Sequence, residues 1–93
     1  MDAYMVVATF RADTVMDEVF AVVAEEQARI RALAAEGRVG PLHISLARGT
    51  IFIEVFADDL PGAEATVRTL PMSKWWDLDV YPLSPPVVPE GAA

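Results

Sequence analysis

Glu26 is the residue of this chain best suited to moving protons. At 100° per residue, a predicted helix places it in the middle of an apolar stripe with Val19, Val23 and Ile30. Its neighbour Glu25 faces solvent by the same count. Burial against an apolar wall disfavours the charged form of a carboxyl and should raise its pKa towards the range useful for proton transfer near neutral pH. Glu26 is therefore a candidate general base, or alternatively a structural carboxylate paired with an arginine or a backbone N–H.

His43 is the only histidine, and it lies in the first strand of a predicted hairpin. If a two-residue turn closes that hairpin, His43 pairs with Glu54 on a face that also carries Phe52, an aromatic surface for a substrate. Such a pair would be either a catalytic dyad or a structural hydrogen bond. Because the apolar stripe faces the other side of the sheet, Glu26 and His43 should be separated unless His43 sits at a strand end.

Aromatic residues supply the remaining candidate substrate contacts. Trp75 and Trp76 should point to opposite sides of the last strand, so at most one of them can pack in the core. Tryptophan offers a flat apolar wall with one N–H donor, which suits an unsaturated or cyclic ligand as well as ordinary core packing. Tyr4 and Tyr81 could each donate a hydrogen bond to a carbonyl group.

The chain lacks the residues or motifs needed for thiol, metal, phosphate-binding and serine-nucleophile chemistry. The chain has no cysteine, so a thiolate nucleophile, a disulfide and a thiolate metal site are all excluded. One histidine with scattered carboxylates offers no metal-ligand spacing, and neither a glycine-rich phosphate loop nor a serine nucleophile motif is present. Any catalysis is therefore expected to need no cofactor and no metal.

The pattern of residues predicts the order βαββαβ, an α+β ferredoxin-like arrangement. The predicted elements are a strand over 3–10, a helix from Asp13 or Thr14 to about Glu36, strands over 41–46 and 50–56 joined at Arg48-Gly49, a helix from Asp58-Asp59 to about Leu70, and a strand over 76–81. Gly37 should end the long helix in a left-handed conformation. Residues 1–83 form one domain, and the proline-rich segment 84–93 is either an extended arm or an unstructured end.

Size and charge limit the possible partners. A chain of 93 residues with 54% hydrophobic content has more apolar material than one small core can bury, which favours a homo-oligomer. A formal charge of −7 disfavours nucleic acid and anionic membrane surfaces. No apolar run approaches about 18 residues, and the absence of cysteine is typical of the cytoplasm, so we expect a cytoplasmic protein.

Residues 70–83 carry a distinctive combination of a Leu-Pro turn, an aromatic pair and a short alternating strand that leaves through Pro-Leu. This segment resembles the C-terminal signature of the muconolactone isomerase family, Leu-Pro-x-x-x-aromatic-x-Asp-hydrophobic-x-Val-x-x-Leu. The resemblance extends upstream through residues 24–26, 36–37 and 55–56 and covers about two thirds of the chain. It implies a dimeric α+β barrel with a C-terminal arm across a neighbouring subunit, and Glu26 falls where the family has an acidic pair in its long helix.

The chain departs from that family after the first helix. Family members that act on muconolactone have a segment rich in tryptophan and arginine there, whereas residues 38–44 keep Arg38 as the one cation that could contact a substrate. A histidine that commonly precedes the final proline of the family is replaced by Pro85-Pro86. A carboxylate-bearing substrate needs a cationic anchor, so these differences indicate a less anionic substrate.

We therefore expect a cofactor-independent isomerase or cyclase that acts by proton transfer on a small unsaturated lactone or a polyketide-type intermediate. Two alternatives stay open: a cofactor-independent monooxygenase acting on an aromatic substrate, and a non-catalytic ligand-binding or assembly subunit. Exchange of a substrate proton with deuterated solvent would mark the first of these three functions, and oxygen uptake would mark the second.

Overall fold

The structure, a computed structural model, describes residues 1–86 of the chain. Its elements are β1 (Asp2–Phe10), α1 (Met16–Phe20), α2 (Val23–Ala35), β2 (Val39–Ser45), β3 (Thr50–Ala57), α3 (Leu60–Arg68) and β4 (Trp76–Pro82), with 3₁₀ turns at Leu46–Arg48 and Pro71–Trp75. The four strands form one antiparallel sheet in the order β2-β3-β1-β4. This confirms the predicted α+β class and is consistent with a ferredoxin-like fold.

One face of the sheet is covered by helices. Helix α3 packs against β1, β3 and β4, whereas α2 contacts β2 and the Pro71–Trp75 turn. Alternate residues of each strand point into this layer, as the period of two requires. The residues buried in it include Val6, Ala8, Ile53, Val55 and Trp76 from the strands and Leu33, Ala63 and Val67 from the helices. The core therefore lies between the sheet and one layer of helices.

The ends of α2 and α3 follow their sequence signals. Gly37 adopts a φ of 72°, and the N–H of Arg38 closes the end of α2 on the carbonyl of Leu33 at 2.9 Å, as in a Schellman motif. The side chain of Asp59 caps α3 by accepting from the N–H of Gly62 at 2.7 Å. Both boundaries were predicted from local sequence, because each depends on residues within one turn.

The predicted single helix from residue 13 or 14 to 36 is wrong in its first half. The chain forms α1 and α2 with a break at Val22, whose φ and ψ of −109° and 10° leave the helical region. Val22 and Val23 are adjacent β-branched residues, which weakens the helix there. The predicted cap is also wrong: Val15 holds the N-cap position of α1, and the hydroxyl of Thr14 donates to the carbonyl of Arg11.

The predicted hairpin register is shifted by two residues. The turn uses four residues, a 3₁₀ turn at Leu46–Arg48 and then Gly49 at a φ of 56°, so that Ser45 pairs with Thr50. A two-residue turn would have required Arg48 to adopt a positive φ, which a side chain with a Cβ resists. His43 consequently pairs with Phe52 and not with Glu54.

Glu54 lies opposite an irregularity in the edge strand. The register shifts between Val39 and Leu42, where Gly40 and Pro41 together face the single residue Glu54. This is the geometry of a β-bulge. Proline has no N–H to donate to the ladder, and Pro41 is tolerated because a bulge in an edge strand does not need that donor. A Cβ placed on Gly40 would lie 3.5 Å from the Cβ of Glu54, which shows how closely the bulge approaches this side chain.

The other face of the sheet carries no helix of the described chain. We call it the open face. It presents Met5, Val7 and Thr9 from β1, Ser45 and His43 from β2, Phe52, Glu54 and Phe56 from β3, and Asp77, Asp79 and Tyr81 from β4. Phe52 and Tyr81 remain 37% and 54% exposed, so aromatic area on this face is in contact with water.

After β4, residues Leu83 to Pro86 are exposed and have no regular secondary structure. The rest of the predicted arm, residues 87–93, lies outside the described residues. No helix in residues 1–86 is long and apolar enough to cross a membrane.

Candidate functional site

Glu26 is buried in the first turn of α2, with 5% of its surface exposed. Its Oε1 accepts a hydrogen bond from the backbone N–H of Met72 at 2.9 Å. Burial raises the pKa of this carboxyl above its ordinary value, and the Met72 N–H offsets part of that rise by stabilising the charged form. The carboxyl is therefore buried as predicted, and its partner is a backbone N–H, one of the two partners expected for a structural carboxylate. The neighbouring Glu25 is exposed, as predicted.

The Pro71–Trp75 turn carries this partner and is itself held by arginines. Arg68 donates from Nη1 to the carbonyls of Ser73 at 2.7 Å and of Trp76 at 3.2 Å. Arg11 donates to the carbonyl of Trp76 at 3.3 Å and also to that of Lys74. These contacts tie the turn to the end of α3 and to the end of β1. The position of the Met72 N–H therefore depends on two other segments of the chain, the end of α3 and the end of β1.

Glu26 lines a cavity of about 310 Å³ between α2 and the sheet. We call it the Glu26 cavity. Its other walls are Val23, Gln27 and Ile30 from α2, Leu42 and Ile44 from β2, Ile51 from β3, and Met72 and Trp76. Gln27 is the one other side chain among them with hydrogen-bonding amide or carboxyl groups. A small, mainly apolar molecule of the size that protein pockets usually take would fit such a space.

A second cavity of about 450 Å³, the α1 cavity, adjoins the first. It lies under α1 and is lined by Phe10, Met16, Val19, Phe20, Ser45, Leu46, Gly49 and Thr50, together with Val23, Ile44, Ile51 and Met72. The last four residues also line the Glu26 cavity, so the two spaces share a wall. Phe20 is 64% exposed and Leu46 is 90% exposed, which indicates that the α1 cavity opens to solvent beside them.

Trp76 packs in the core, where the sequence allowed at most one of the two tryptophans, and it also lines the Glu26 cavity. It is 1% exposed and packs edge-to-face against Phe10, with ring centroids 5.9 Å apart. Its indole Nε1 is buried and has no acceptor among residues 1–86. Trp75 instead lies in the 3₁₀ turn, half-buried, with the ammonium of Lys74 4.5 Å from its ring centroid. Trp75 does not line either cavity.

His43, Glu54, Phe52 and Tyr81 are all on the open face, as their strand positions require. The sheet separates them from Glu26, which lies on the helix-covered side. His43 is exposed on the edge strand, and its neighbour across the ladder is Phe52. The structure thus corrects the predicted dyad: His43 and Glu54 are offset by two residues, and within one protomer neither can act together with Glu26 on one small substrate.

Tyr4 lies on the helix-covered face but at the far end of the sheet. It pairs with Val55, which is four residues along β3 from the cavity residue Ile51, a separation of about 13 Å. Burial, followed by the charge of Asp2, raises the pKa of its phenol. The structure therefore places Tyr4 in the core and away from both cavities beside Glu26.

Arg38 also lies outside the Glu26 cavity. Its Nη2 donates to the hydroxyl of Thr66 at 3.0 Å, and its Nη1 is 3.6 Å from a carboxylate oxygen of Glu36. It lines a separate, polar cavity of about 290 Å³ near the start of α3, where Asp58 and Asp59 are also present. Among residues 1–86, no arginine lines the Glu26 cavity, so the structure does not bring the predicted substrate contact Arg38 to Glu26.

The sequence did not predict the contact between Met72 and Glu26, nor the aliphatic residues that line the two cavities. The Leu70-Pro71 signature marks a turn, but nothing local shows that the N–H of Met72 reaches a carboxyl 46 residues away. No three metal-ligating side chains of the histidine, cysteine, aspartate or glutamate types cluster within residues 1–86.

The arrangement thus combines one buried carboxyl of raised pKa with a small apolar space beside it. Such a group can take a proton from a weak carbon acid and return it at another position, because a pKa closer to neutrality makes both steps accessible. In comparisons with known proteins, no protein-family model matches the chain and no curated protein matches it.

Proposed function

We propose that this protein is a cofactor-independent isomerase or cyclase of the muconolactone isomerase-like type, in which Glu26 transfers a proton within the Glu26 cavity. The observation that carries the proposal is the burial of this carboxyl in the wall of an apolar cavity, with a raised pKa. The Leu70–Leu83 signature and the βαββαβ order support the family part of the proposal.

The proposed reaction needs no added oxidant or reductant. The Glu26 carboxylate takes a proton α or γ to the carbonyl of an unsaturated lactone, which leaves a carboxylic acid and a conjugated enolate. The same carboxylic acid then returns the proton at the other end of the conjugated system, so that the product is an isomer. In a cyclase, the enolate carbon instead attacks a second carbonyl and the new alkoxide takes the proton.

Met72 has a defined part in this scheme. Its N–H bonds to Oε1 and so orients the carboxyl, which leaves Oε2 for the substrate. The bond also limits the rise in the pKa of Glu26, because it favours the ionised form that must accept the proton. Trp76 supplies a flat wall of the Glu26 cavity from the sheet side, against which a planar enolate can stack.

The decisive experiment compares Glu26→Gln with Glu25→Gln. The two residues are adjacent in α2 and have the same side chain, but only Glu26 is buried. The probe is α-angelica lactone, a neutral β,γ-unsaturated lactone, incubated in deuterated water and followed by proton NMR for deuterium uptake and for the conjugated isomer. The wild type and Glu25→Gln should catalyse both changes, and Glu26→Gln should be slower by about 10² to 10⁴.

The Glu26→Gln variant should fold, because glutamine keeps an oxygen that can accept from the Met72 N–H. Circular dichroism and urea unfolding check this separately from activity. Equal rates for the two folded variants would reject Glu26 as the base. If the wild type consumes oxygen with an electron-rich phenol but exchanges no lactone proton, the monooxygenase alternative would replace the proposal. Binding without either reaction would leave a ligand-binding subunit.

The second part of the proposal is a homo-oligomer formed through the open face. The support is aromatic and aliphatic area on a sheet face that no described helix covers, with Met5, Val7, Phe52, Phe56 and Tyr81 among its residues. Two such faces packed together would give the dimeric α+β barrel that the family resemblance implies, with residues 84–93 as an arm on the neighbouring subunit. A cytoplasmic location belongs to the same proposal, supported by the absence of cysteine.

A further inference from the structure

The relation between the two adjoining cavities limits which molecules can be the substrate. The Glu26 cavity contains the reactive carboxyl and measures about 310 Å³, whereas the α1 cavity is larger, about 450 Å³. Val23, Ile44, Ile51 and Met72 line both, so a molecule bound beside Glu26 is in contact with residues that also border the α1 cavity. A ligand that filled only the first space would leave the second, mostly apolar space in contact with water.

The residues at the mouth of the α1 cavity are unusually apolar for an exposed position. Met16, Phe20, Ile44 and Leu46 are 43%, 64%, 61% and 90% exposed, respectively. Each of them lines the α1 cavity. Within residues 1–86, no lysine, arginine, aspartate or glutamate side chain lines it, so the described walls offer hydrophobic burial and no charged anchor. Its chemistry suits a hydrocarbon group.

From these observations we infer that the substrate has two parts: an unsaturated carbonyl head that lies beside Glu26, and an apolar tail, alkyl or aromatic, that extends between Val23 and Ile51 into the α1 cavity. This inference rests on the site assigned in the proposed function and adds the substrate class to it. The tail would supply binding energy remote from the reacting atoms, and each buried methylene should strengthen binding by about fourfold.

Methionine methyl groups provide a readout for each region of the protein. Met72 lines both cavities, Met16 lines only the α1 cavity, and Met5 is on the open face of the sheet. With ¹³C-methyl methionine, the bound position of a ligand can therefore be read from which NMR signals shift. The probes are 5-methyl-2(5H)-furanone and 5-hexyl-2(5H)-furanone, which share a head group and differ only in the length of the tail.

The methyl compound should shift the signal of Met72 and leave that of Met16 unchanged. The hexyl compound should shift both signals. At constant protein concentration, the Met5 signal should not change and serves as the reference. The hexyl compound should also bind at least about tenfold more tightly, after allowance for the ordering of its chain. A hexyl compound that shifts Met72 alone, or that binds no more tightly than the methyl compound, would overturn the inference. So would a failure of both compounds to shift Met72.

Phe20→Ala tests the tail site without touching the core, since Phe20 is 64% exposed. It should weaken the hexyl compound by about threefold to tenfold and change the methyl compound by less than twofold. Leu60→Ala is the matched control, because Leu60 is an exposed apolar residue of α3 that lines neither cavity. Equal losses for both compounds in Phe20→Ala would contradict a separate tail site.

Two further outcomes separate this inference from its competitors. If the Met16 signal shifts with rising protein concentration in the absence of lactone, a second copy of the chain occupies the α1 cavity and the inference fails. Glu26→Gln should keep the Met16 response to the hexyl compound. If that response is present but no lactone proton exchanges with solvent in the wild type, the two-part ligand site stands and the proton-transfer function falls.

Discussion

The backbone N–H of Met72 donates a hydrogen bond to Oε1 of Glu26 at 2.9 Å, across a sequence separation of 46 residues. The donor belongs to the 3₁₀ turn Pro71–Trp75, and the acceptor belongs to the first turn of α2. One hydrogen bond therefore joins the segment with the family-like signature to the carboxyl that we propose as the base. It also limits the rise in the pKa of that carboxyl, because it stabilises the charged form that burial disfavours.

The burial of Glu26 predicts an unusual dependence of stability on pH. Its folded pKa is raised above the ordinary value of 4.5, so the folded state keeps this proton at pH values where the unfolded state has lost it. The free energy of unfolding should therefore fall as the pH rises from about 4.5 towards the folded pKa, and stay level above it. Urea unfolding at several pH values should show this decrease in wild type and in Glu25→Gln but not in Glu26→Gln.

The pKa itself can be followed directly by NMR titration of the labelled carboxyl carbons. Glu26 should titrate above the ordinary value of 4.5, because burial disfavours its charged form. A midpoint at or below 4.5 would contradict the raised pKa of Glu26.

Arg68→Met should loosen the turn that carries Met72. Arg68 donates to the carbonyls of Ser73 and Trp76, so its loss should lower the free energy of unfolding by about 1 kcal/mol. It should also raise the pKa of Glu26 further, because a less ordered Met72 N–H stabilises the carboxylate less well. Arg31→Met, an exposed position in α2, is the control for the loss of one positive charge. An unchanged Glu26 pKa in Arg68→Met would mean that other contacts suffice to hold the turn.

The two glycines of the β2–β3 hairpin should respond to alanine in opposite directions. Gly49 has a φ of 56° with nothing within 4 Å of an added Cβ, so Gly49→Ala should destabilise by about 1 to 2 kcal/mol through the backbone alone. Gly40 has no positive φ, and its added Cβ would make ordinary contacts at 3.5 Å and beyond. Gly40→Ala should therefore stabilise by about 0.5 kcal/mol. Thermal unfolding of the two variants measures both effects, and equal destabilisation would contradict the hairpin described above.

His43 and Glu54 should be energetically independent. His43 pairs with Phe52, and Glu54 faces the bulge at Gly40 and Pro41. A double-mutant cycle with His43→Gln and Glu54→Gln, measured by urea unfolding, should give a coupling energy below about 0.5 kcal/mol. A coupling of 1 kcal/mol or more would restore the dyad expected from a two-residue turn.

The open face predicts a concentration-dependent assembly that a charge can disrupt. Phe52 is 37% exposed at the centre of that face, so Phe52→Glu should place a carboxylate in the proposed interface and shift the protein towards a species near 10 kDa. Leu60→Glu, at a similarly exposed residue of α3, should leave assembly unchanged. Sedimentation velocity at micromolar concentrations distinguishes these results, and a wild type that sediments as a monomer would reject the interface.

Local sequence was sufficient for the features that depend on neighbours in the chain. The period of two in β2 and β3 correctly placed His43, Phe52 and Glu54 on one face of the sheet, and the helical angle of Glu26 correctly separated it from Glu25. Gly37 and Asp59 marked the end of α2 and the start of α3 because capping is completed within one turn. For the same reason, the α+β class could be predicted without any tertiary information.

The tertiary structure alone decided the features that depend on chain segments far apart. The hairpin register changed by two residues because a four-residue turn with Gly49 at positive φ replaced the two-residue turn, and this separated His43 from Glu54. The hydrogen-bond partner of Glu26 is a backbone N–H, which every residue except proline has. The residue type at position 72 therefore could not predict this contact. The chain breaks between α1 and α2 at Val22, and α2 and α3 contact different strands. The cavities are gaps in the packing between these elements. No local sequence pattern encodes the distance between elements that are far apart in the chain.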